Sequence, residues 1–233
     1  MKLVNSHQVA LLQRFRDSPW LIAIELSLIA TVFVADMYHH IFFSKTPYLL
    51  ALGWISIRLR GMRWRDVGLS VPTKWRSLVL IGVAAGVAME LFELFATQPL
   101  LVALTGKYPD LSDFRQLVGN FPMLLLVVAA SWILAGLGEE AAWRGYILNR
   151  VADLFGQNRL GWGISIGIVS VVFGLAHSYQ DITGIIENSL AGALLALLYL
   201  ACGRNLIAPI IAHGVTDTVD SIIVYFGHYP GMQ

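Results

Sequence analysis

The chain has 233 residues and a net charge of +1, and it is unusually apolar. Hydrophobic residues make up 57% of it and charged residues only 13%, whereas a soluble domain has about 25% charged residues. The mean hydropathy is +0.67. This composition excludes a single soluble core and predicts an all-α, polytopic membrane helix bundle. The single Cys202 excludes an internal disulfide, and the small net charge implies no strongly charged partner.

Seven apolar segments approach the length of about 20 residues that a membrane span needs. We therefore expect about seven transmembrane helices, with six or eight also compatible, in one integrated membrane domain. No small-residue cleavage site follows the first segment, which we interpret as a retained helix. We expect the fourth segment to continue as an amphipathic helix to Phe155, before a turn at 156–158. The segments are 20–43, 47–57, 78–104, 121–138, 161–177, 184–201 and 206–226.

The basic residues orient this bundle. If the N-terminus is cytoplasmic, almost all of them fall on the cytoplasmic side, as the positive-inside rule requires. The loop 58–76, with Trp64 and Trp75 among its arginines, is typical of a juxtamembrane segment lying on lipid headgroups, so we expect no nucleic-acid partner. The cytoplasmic set is Lys2, Arg14, Arg16, Arg58, Arg60, Arg63, Arg65, Lys74, Arg76, Arg144, Arg150, Arg159 and Arg204, against Lys45, Lys107 and Arg115.

Ionisable residues inside the predicted spans are the strongest functional signal in the chain. Such residues are energetically costly in a membrane and mark either function or a specific pairing. Three short clusters contain several of them and are considered below. The full set is Glu25, Glu90, Glu93, Glu139, Glu140, His177, Glu187, His213, Asp217 and Asp220.

The first cluster has two adjacent carboxylates, Glu139 and Glu140, followed by Arg144. Arg144 lies four residues after Glu140 and therefore on the same helical face, where the two can form an ion pair. Glu139 points about 100° away and is left without a local cation. A desolvated, unpaired carboxylate is suited to act as a general base on water. The alternative is that both glutamates belong to a structural network.

The second and third clusters each place a histidine one helical turn from a possible partner. Phe173 and His177 share a face, so the aromatic ring can wall one side of the imidazole. His213 and Asp217 are also four residues apart, so the carboxylate can accept a hydrogen bond from the imidazole and hold its tautomer. Each histidine can equally be a structural residue of the bundle.

The spacing predicts that the three clusters meet. Glu139 lies 18 residues before Gln157 and His177 lies 20 after it, so a helical hairpin turning there brings both to similar depth. His213 lies about ten residues beyond the next turn, at residues 203–204. We therefore expect one site in the cytoplasmic half of the membrane that opens to the cytoplasmic side.

In their order along the chain, these motifs resemble those of the CPBP family, which comprises CAAX prenyl endopeptidases and bacteriocin-processing or immunity proteins. The motifs are Glu139-Glu140-x-x-x-Arg144, Phe173-x-x-x-His177 and His213-x-x-x-Asp217. The resemblance covers residues 121–226, which would be the catalytic helices. Residues 1–120 would supply N-terminal membrane helices and the basic loop, in which 64–69 is similar to an amphipathic stretch of bacterial members. A multi-pass protein of the bacterial inner membrane is implied.

The resemblance also implies a reaction, namely peptide-bond hydrolysis by a glutamate-activated water. By motif position, Glu139 would be the base and His177 would help to bind the water, while His213 and Asp217 would stabilise the oxyanion. Glu140, Arg144 and Phe173 would support them. The family often has Asn where this chain has Asp217, and an ionised Asp cannot donate a hydrogen bond to an oxyanion. Either Asp217 is protonated, or it orients His213, which then donates alone.

Three alternatives stay open. Glu139, His177 and His213 form a two-histidine, one-carboxylate set able to hold zinc, although no cofactor is favoured. A non-catalytic immunity or partner-binding protein would use the same residues as a polar core. A proton or ion relay would use Glu90, Glu93, Glu139 and Glu187, but the chain lacks the paired, interrupted helices of transporter repeats. The expected partners are the bilayer and a peptide or protein substrate, lipidated or not, and the oligomeric state is left undetermined.

Overall fold

A computed structural model describes residues 18–232, and its architecture is a bundle of helices. Within this range there are seven long helices and no strand, which confirms the predicted all-α class. Three single 3₁₀ turns lie between them, at Trp64–Val67, Ser112–Leu117 and Ser178–Gln180. The helices are α1 (Pro19–Met37), α2 (Lys45–Leu59), α3 (Trp75–Thr105), α4 (Phe121–Phe155), α5 (Arg159–Leu175), α6 (Asp181–Ala201) and α7 (Ile207–Tyr225).

The helix boundaries follow local signals in the sequence. The side chains of Ser44, Asn120 and Asn158 accept hydrogen bonds from backbone N–H groups at the starts of α2, α4 and α5, as N-cap residues do. The first helix ends at Met37 rather than at Phe43 as predicted, because His39 and Phe43 adopt positive φ angles of 55° and 76°. Such angles are incompatible with a right-handed helix.

Five of the helices, α1, α3, α4, α6 and α7, are long and apolar enough to cross a membrane, while α2 and α5 are shorter at 15 and 17 residues. The protein is therefore an integral, multi-pass membrane protein. Helix α4 has 35 residues and is about 52 Å long, so it exceeds the roughly 30 Å hydrocarbon core. Its continuation to Phe155 confirms the predicted amphipathic extension.

Close packing of α3 against α7 depends on two glycines. A Cβ atom on Gly82 would lie 2.7 Å from the Ala208 carbonyl oxygen, and one on Gly86 would lie 2.6 Å from that of Ala212. Small residues four apart let membrane helices approach to backbone contact. The Thr216 hydroxyl adds a hydrogen bond to the Gly86 carbonyl at 3.2 Å. This packing fixes the register between α3 and α7.

The bundle has two chemically different ends. The arginine end is formed by the loops 60–74, 156–158 and 202–206. They are joined by hydrogen bonds from Leu206 N to the Gly68 carbonyl and from Arg204 to Gln157, both 3.0 Å long. The far end is formed by the loops 38–44, 106–120 and 176–180 with residues 226–232. Here Asp110 N donates to the Gln180 carbonyl at 3.0 Å, and Gly119 N to that of Tyr225 at 2.9 Å.

Basic residues of the described range are concentrated at the arginine end. Of the residues assigned to the cytoplasmic side by sequence, Lys2, Arg14 and Arg16 lie outside the described residues, and Arg144 is buried in the bundle. The arginine end carries Arg58, Arg60, Arg63, Arg65, Lys74, Arg76, Arg150, Arg159 and Arg204, and the far end carries Lys45, Lys107 and Arg115. By the positive-inside rule, the arginine end is predicted to be cytoplasmic.

Reporter fusions test this orientation. A reporter inserted after Arg65 should be active only in its cytoplasmic form, and one fused after Met232 only in its exported form, because five helices, α3 to α7, separate the two positions. Two reporters on the same side would contradict seven spans while leaving the helical fold intact.

Candidate functional site

All four residues predicted as catalytic line one cavity of about 440 Å³. Glu139 comes from α4, His177 from the loop after α5, and His213 and Asp217 from α7. The predicted hairpin of α4 and α5 therefore brings residues 38 positions apart in the chain to the same cavity. Apolar residues of α4, among them Val127, Ala130 and Leu134, form part of the wall.

A buried ion pair lies beside this cavity. The Arg144 Nη1 donates to Glu140 Oε1 at 2.6 Å, and the two side chains are 2% and 0% exposed. The predicted pair at i and i+4 is thus present. Arg144 Nη2 also donates to the Gly192 carbonyl of α6 at 3.1 Å. The guanidinium carbon lies 4.8 Å from the centre of the Phe173 ring, a cation–π distance.

His213 is held by Glu140 rather than by Asp217. Its Nδ1–H donates to Glu140 Oε1 at 2.8 Å, whereas its Nε2 lies 3.7 Å from Asp217 Oδ1, which is longer than a hydrogen bond. The predicted hydrogen bond between His213 and Asp217 is therefore wrong. The local i,i+4 spacing permits that bond, but the packing of α7 against α4 provides a closer carboxylate. Glu140 therefore engages Nδ1, and Nε2 is the ring nitrogen of His213 that faces Asp217.

His177 is oriented by the backbone of its own segment. Its Nδ1 lies 2.8 Å from the Phe173 carbonyl oxygen, and because a carbonyl only accepts, Nδ1 must be the protonated nitrogen. In a neutral imidazole, Nε2 is then an acceptor. The Phe173 ring lies 4.8 Å from the His177 ring and 6.3 Å from the His213 ring. Phe173 thus walls the imidazole, as its spacing predicts.

Of the two adjacent glutamates, Glu139 has the weaker hydrogen bonding. It is half-buried, and its Oε1 accepts only a long 3.5 Å hydrogen bond from the Thr46 hydroxyl of α2. It forms no ion pair with any residue between 18 and 232. The helix around both glutamates consists of wide π-helical turns, Ser131–Glu139 and Ala141–Ile147, a distortion often found at functional sites.

Two contacts from α2 were not predicted. Thr46 reaches Glu139, and the neighbouring Lys45 ammonium donates to the Ala176 carbonyl at 3.1 Å while pairing with Asp36 at 3.3 Å. Lys45 therefore ties α2 to the loop that carries His177. The polar Ser44-Lys45-Thr46 stretch at the start of an apolar helix is the only sequence signal for these roles.

The arrangement of the side chains bears on the zinc alternative. No group of three His, Cys, Asp or Glu side chains in the described part of the chain has the spacing of metal ligands. Glu139, His177 and His213 thus do not form a ready ligand set. One nitrogen of each histidine is also engaged, by Phe173 and by Glu140 respectively.

The cavity reaches the surface at the far end of the bundle. Its lining includes Leu111, Phe114 and Gln180 of the far-end loops, and Tyr179, which is 50% exposed. Towards the arginine end, the bundle is closed by buried side chains of one core cluster. These are Trp143, Tyr146, Leu148, Tyr199 and Leu206.

The position of the cavity opening conflicts with the predicted orientation of the site. An arginine end in the cytoplasm and a site opening to the cytoplasm cannot both hold, because the cavity opens at the opposite end. Helical spacing predicts that Glu139 and His177 lie at similar depth, but it does not predict which side of the site is filled by side chains. The positive-inside rule rests on many residues, so we now expect an extracytoplasmic opening.

Accessibility of introduced cysteines tests the opening. In a Cys202→Ser background, a membrane-impermeant maleimide added to intact cells should label the Leu111→Cys variant and leave the Arg63→Cys variant unlabelled, since the two sites lie at opposite ends. Inside-out vesicles should reverse the pattern. Labelling of the Leu111→Cys variant only in inside-out vesicles would mean that the cavity faces the cytoplasm.

A second prediction concerns the buried pair. Arg144→Ala should lower the free energy of unfolding by about 3–5 kcal/mol, because it strands the buried Glu140 carboxylate. Adding Glu140→Gln should restore part of that loss, since the amide carries no charge. Thermal unfolding in detergent measures both.

The matched control is Arg65→Ala. Arg65 pairs with Asp66 at 3.6 Å, with both side chains exposed, and such pairs contribute about 0–1 kcal/mol. Equal stability of the wild type and the Arg144→Ala variant would show that the buried pair does not support the fold.

Comparison with known proteins places these residues in a family. Residues 121–219 match the family model described as type II CAAX prenyl endopeptidase, Rce1-like. A search of curated proteins and a search of solved structures returned no significant match. The matched segment begins at α4, ends within α7 and contains all three motifs. The segment 121–219 is therefore similar to the CAAX proteases of the CPBP family.

Proposed function

We propose that the protein is an intramembrane endopeptidase that hydrolyses peptide bonds with a water activated by Glu139. The observation that carries the proposal is the inequality of the two adjacent carboxylates. Glu140 is held by Arg144 and His213, whereas Glu139 lines the cavity with a single long contact. An unpaired carboxylate beside a cavity is able to accept a proton from water. The match of residues 121–219 to a CAAX prenyl endopeptidase family model supports the same conclusion.

His177 would position the nucleophile. With Nδ1–H donated to the Phe173 carbonyl, Nε2 can accept a hydrogen bond from a water whose other proton is directed to Glu139. As the water oxygen adds to the substrate carbonyl carbon, Glu139 takes the proton. Glu139 then gives it to the amide nitrogen as the C–N bond breaks, leaving a carboxylate and an amine.

His213 would stabilise the tetrahedral oxyanion. In its imidazolium form, it donates from Nδ1 to Glu140 and from Nε2 to the oxyanion, and preorganised donors of this kind lower the barrier in a water-poor site. Asp217, 3.7 Å from Nε2, would stabilise that imidazolium by charge rather than donate itself. The departure from Asn at position 217 is compatible with this division of roles.

The substrate would be a peptide or protein segment, lipidated or not. The apolar wall formed by Val127, Ala130 and Leu134 can accept a hydrophobic side chain or an acyl or prenyl chain. We further propose that the protein resides in a bacterial inner membrane and uses no metal. The substrate would enter from the far end.

Substitution of Glu139 tests the mechanism. Glu139→Gln keeps size and shape while removing the base, so the purified variant in liposomes should bind peptide but lose at least 100-fold in cleavage rate. His177→Ala should lose nearly as much. Asp217→Asn should keep substantial activity, because the amide can still contact His213 and can also donate to the oxyanion. Mass spectrometry of products from a defined peptide mixture measures all four proteins.

Other outcomes identify the alternatives. An undiminished cleavage rate of the Glu139→Gln variant would contradict the mechanism. Loss of wild-type cleavage on chelation, with about one zinc per chain by metal analysis, would establish a metalloprotease. A Glu139→Gln variant that protects cells from a bacteriocin as well as the wild type would favour an immunity protein.

A further inference from the structure

Four carboxylates that the mechanism does not use lie together beyond Asp217. This acidic group consists of Glu90 and Glu93 of α3, Glu187 of α6 and Asp220 of α7. Glu93, Glu187 and Asp220 line the same cavity as Glu139. Glu90 is 1% exposed and Glu187 is 5% exposed. Three of its four members thus form part of the wall of the candidate active site.

The acidic group lacks cationic partners. Within residues 18–232, none of its members forms an ion pair with Lys, Arg or His. Both carboxylate oxygens of Glu90 and one oxygen each of Glu187 and Asp220 are buried without a hydrogen-bond partner. The Tyr229 hydroxyl donates to Glu93 Oε1 at 3.4 Å.

Buried carboxylates without partners are costly in a membrane protein. Glu25, buried near the arginine end, shows the usual solution, because it is paired with Arg60 inside the bundle. A cation supplied from outside would satisfy the acidic group in the same way. The group does not have the geometry of metal ligands in the described range. A long basic side chain, which carries its charge on a flexible apolar stem, suits a narrow, partly apolar cavity.

The distance between the acidic group and the candidate catalytic residues follows from their positions on α7. Asp220 lies seven residues beyond His213 on the same helix, which is about 10 Å along the axis. An extended peptide advances about 3.3 Å per residue, so about three residues cover this distance. If the scissile carbonyl of an extended peptide contacts His213 and the peptide runs along α7, the side chain about three residues away lies beside the acidic group.

We propose that the acidic group is a substrate subsite for a lysine or arginine side chain about three residues from the scissile bond. This inference rests on the proposed function. Glu187 and Asp220 are its specificity-determining residues, because both line the cavity and both have an unsatisfied oxygen.

Cleavage-site profiling tests the subsite. The wild type in liposomes is incubated with a randomised peptide library, and cut positions are read by mass spectrometry. Basic residues should be enriched at least fivefold at one position, about three residues from the cut. Glu187→Gln and Asp220→Asn should each reduce the enrichment towards background among the peptides that are still cut. No enrichment by the wild type, or the same enrichment by both variants, would overturn the proposal.

Asp113→Asn is the control for loss of a negative charge. Asp113 is exposed at the far end and does not line the cavity, so this variant should keep the wild-type preference. Melting temperature gives a further readout, because Glu187 has no ion pair to lose. The Glu187→Gln variant should therefore be at least as stable as the wild type, whereas a lower melting temperature would assign Glu187 a structural role instead.

A binding measurement separates this inference from the proposed function. Dansyl-labelled apolar decapeptides with a central lysine or norleucine are titrated into the wild type and the Glu187→Gln variant under conditions without turnover. The lysine peptide should bind the wild type at least tenfold more tightly than the norleucine peptide, and Glu187→Gln should remove the difference. Equal binding of the two peptides would overturn the subsite even if cleavage is observed. A preference for lysine in a protein that cleaves nothing would keep the subsite and reject the protease.

Discussion

The Glu140 carboxylate is the contact on which the rest of the site depends. It lies on α4, accepts from Arg144 of the same helix and accepts from His213 of α7, while Arg144 also donates to the Gly192 carbonyl of α6. Three helices are thus joined through one buried anion. Because a buried charge is costly unless it is partnered, this arrangement stabilises Glu140 and leaves Glu139 as the adjacent carboxylate without an ion pair in the described residues.

The ion pair of Glu140 and Arg144 separates a polar cavity from an apolar core. Beside the ion pair lie His213, which donates to Glu140, and Glu139, which has only a long contact with Thr46. Along α7, Asp217 and then Asp220 follow His213 towards the far end, and both line the cavity together with Glu93 and Glu187. The opposite direction is filled by Trp143, Tyr146 and Tyr199. The bundle is thus filled on one side of its buried charges and hollow on the other.

Much of the fold could be predicted from the sequence. The seven segments, the continuation of α4 to Phe155 and the pairing of Glu140 with Arg144 all follow from apolar length and helical spacing. These are local properties, set by the fixed rise and rotation of a helix. The early end of α1 was not predicted because it depends on the positive φ angles of His39 and Phe43. Neither residue is a glycine, so the sequence does not mark these positions as the end of a helix.

The sequence by itself determined the class of protein and the helical framework, because both follow from apolar composition and segment length. It also determined which residues are candidates for the site, because ionisable residues are costly inside a membrane and therefore stand out in the chain. Only the tertiary structure decided that His213 is held by Glu140 and not by Asp217, that Thr46 reaches Glu139, and that the cavity opens at the far end. Each of these depends on which helix faces which. Helices with similar apolar surfaces carry little information about that choice, and the close approach of α7 to α3 at Gly82 and Gly86 fixes it through backbone contact.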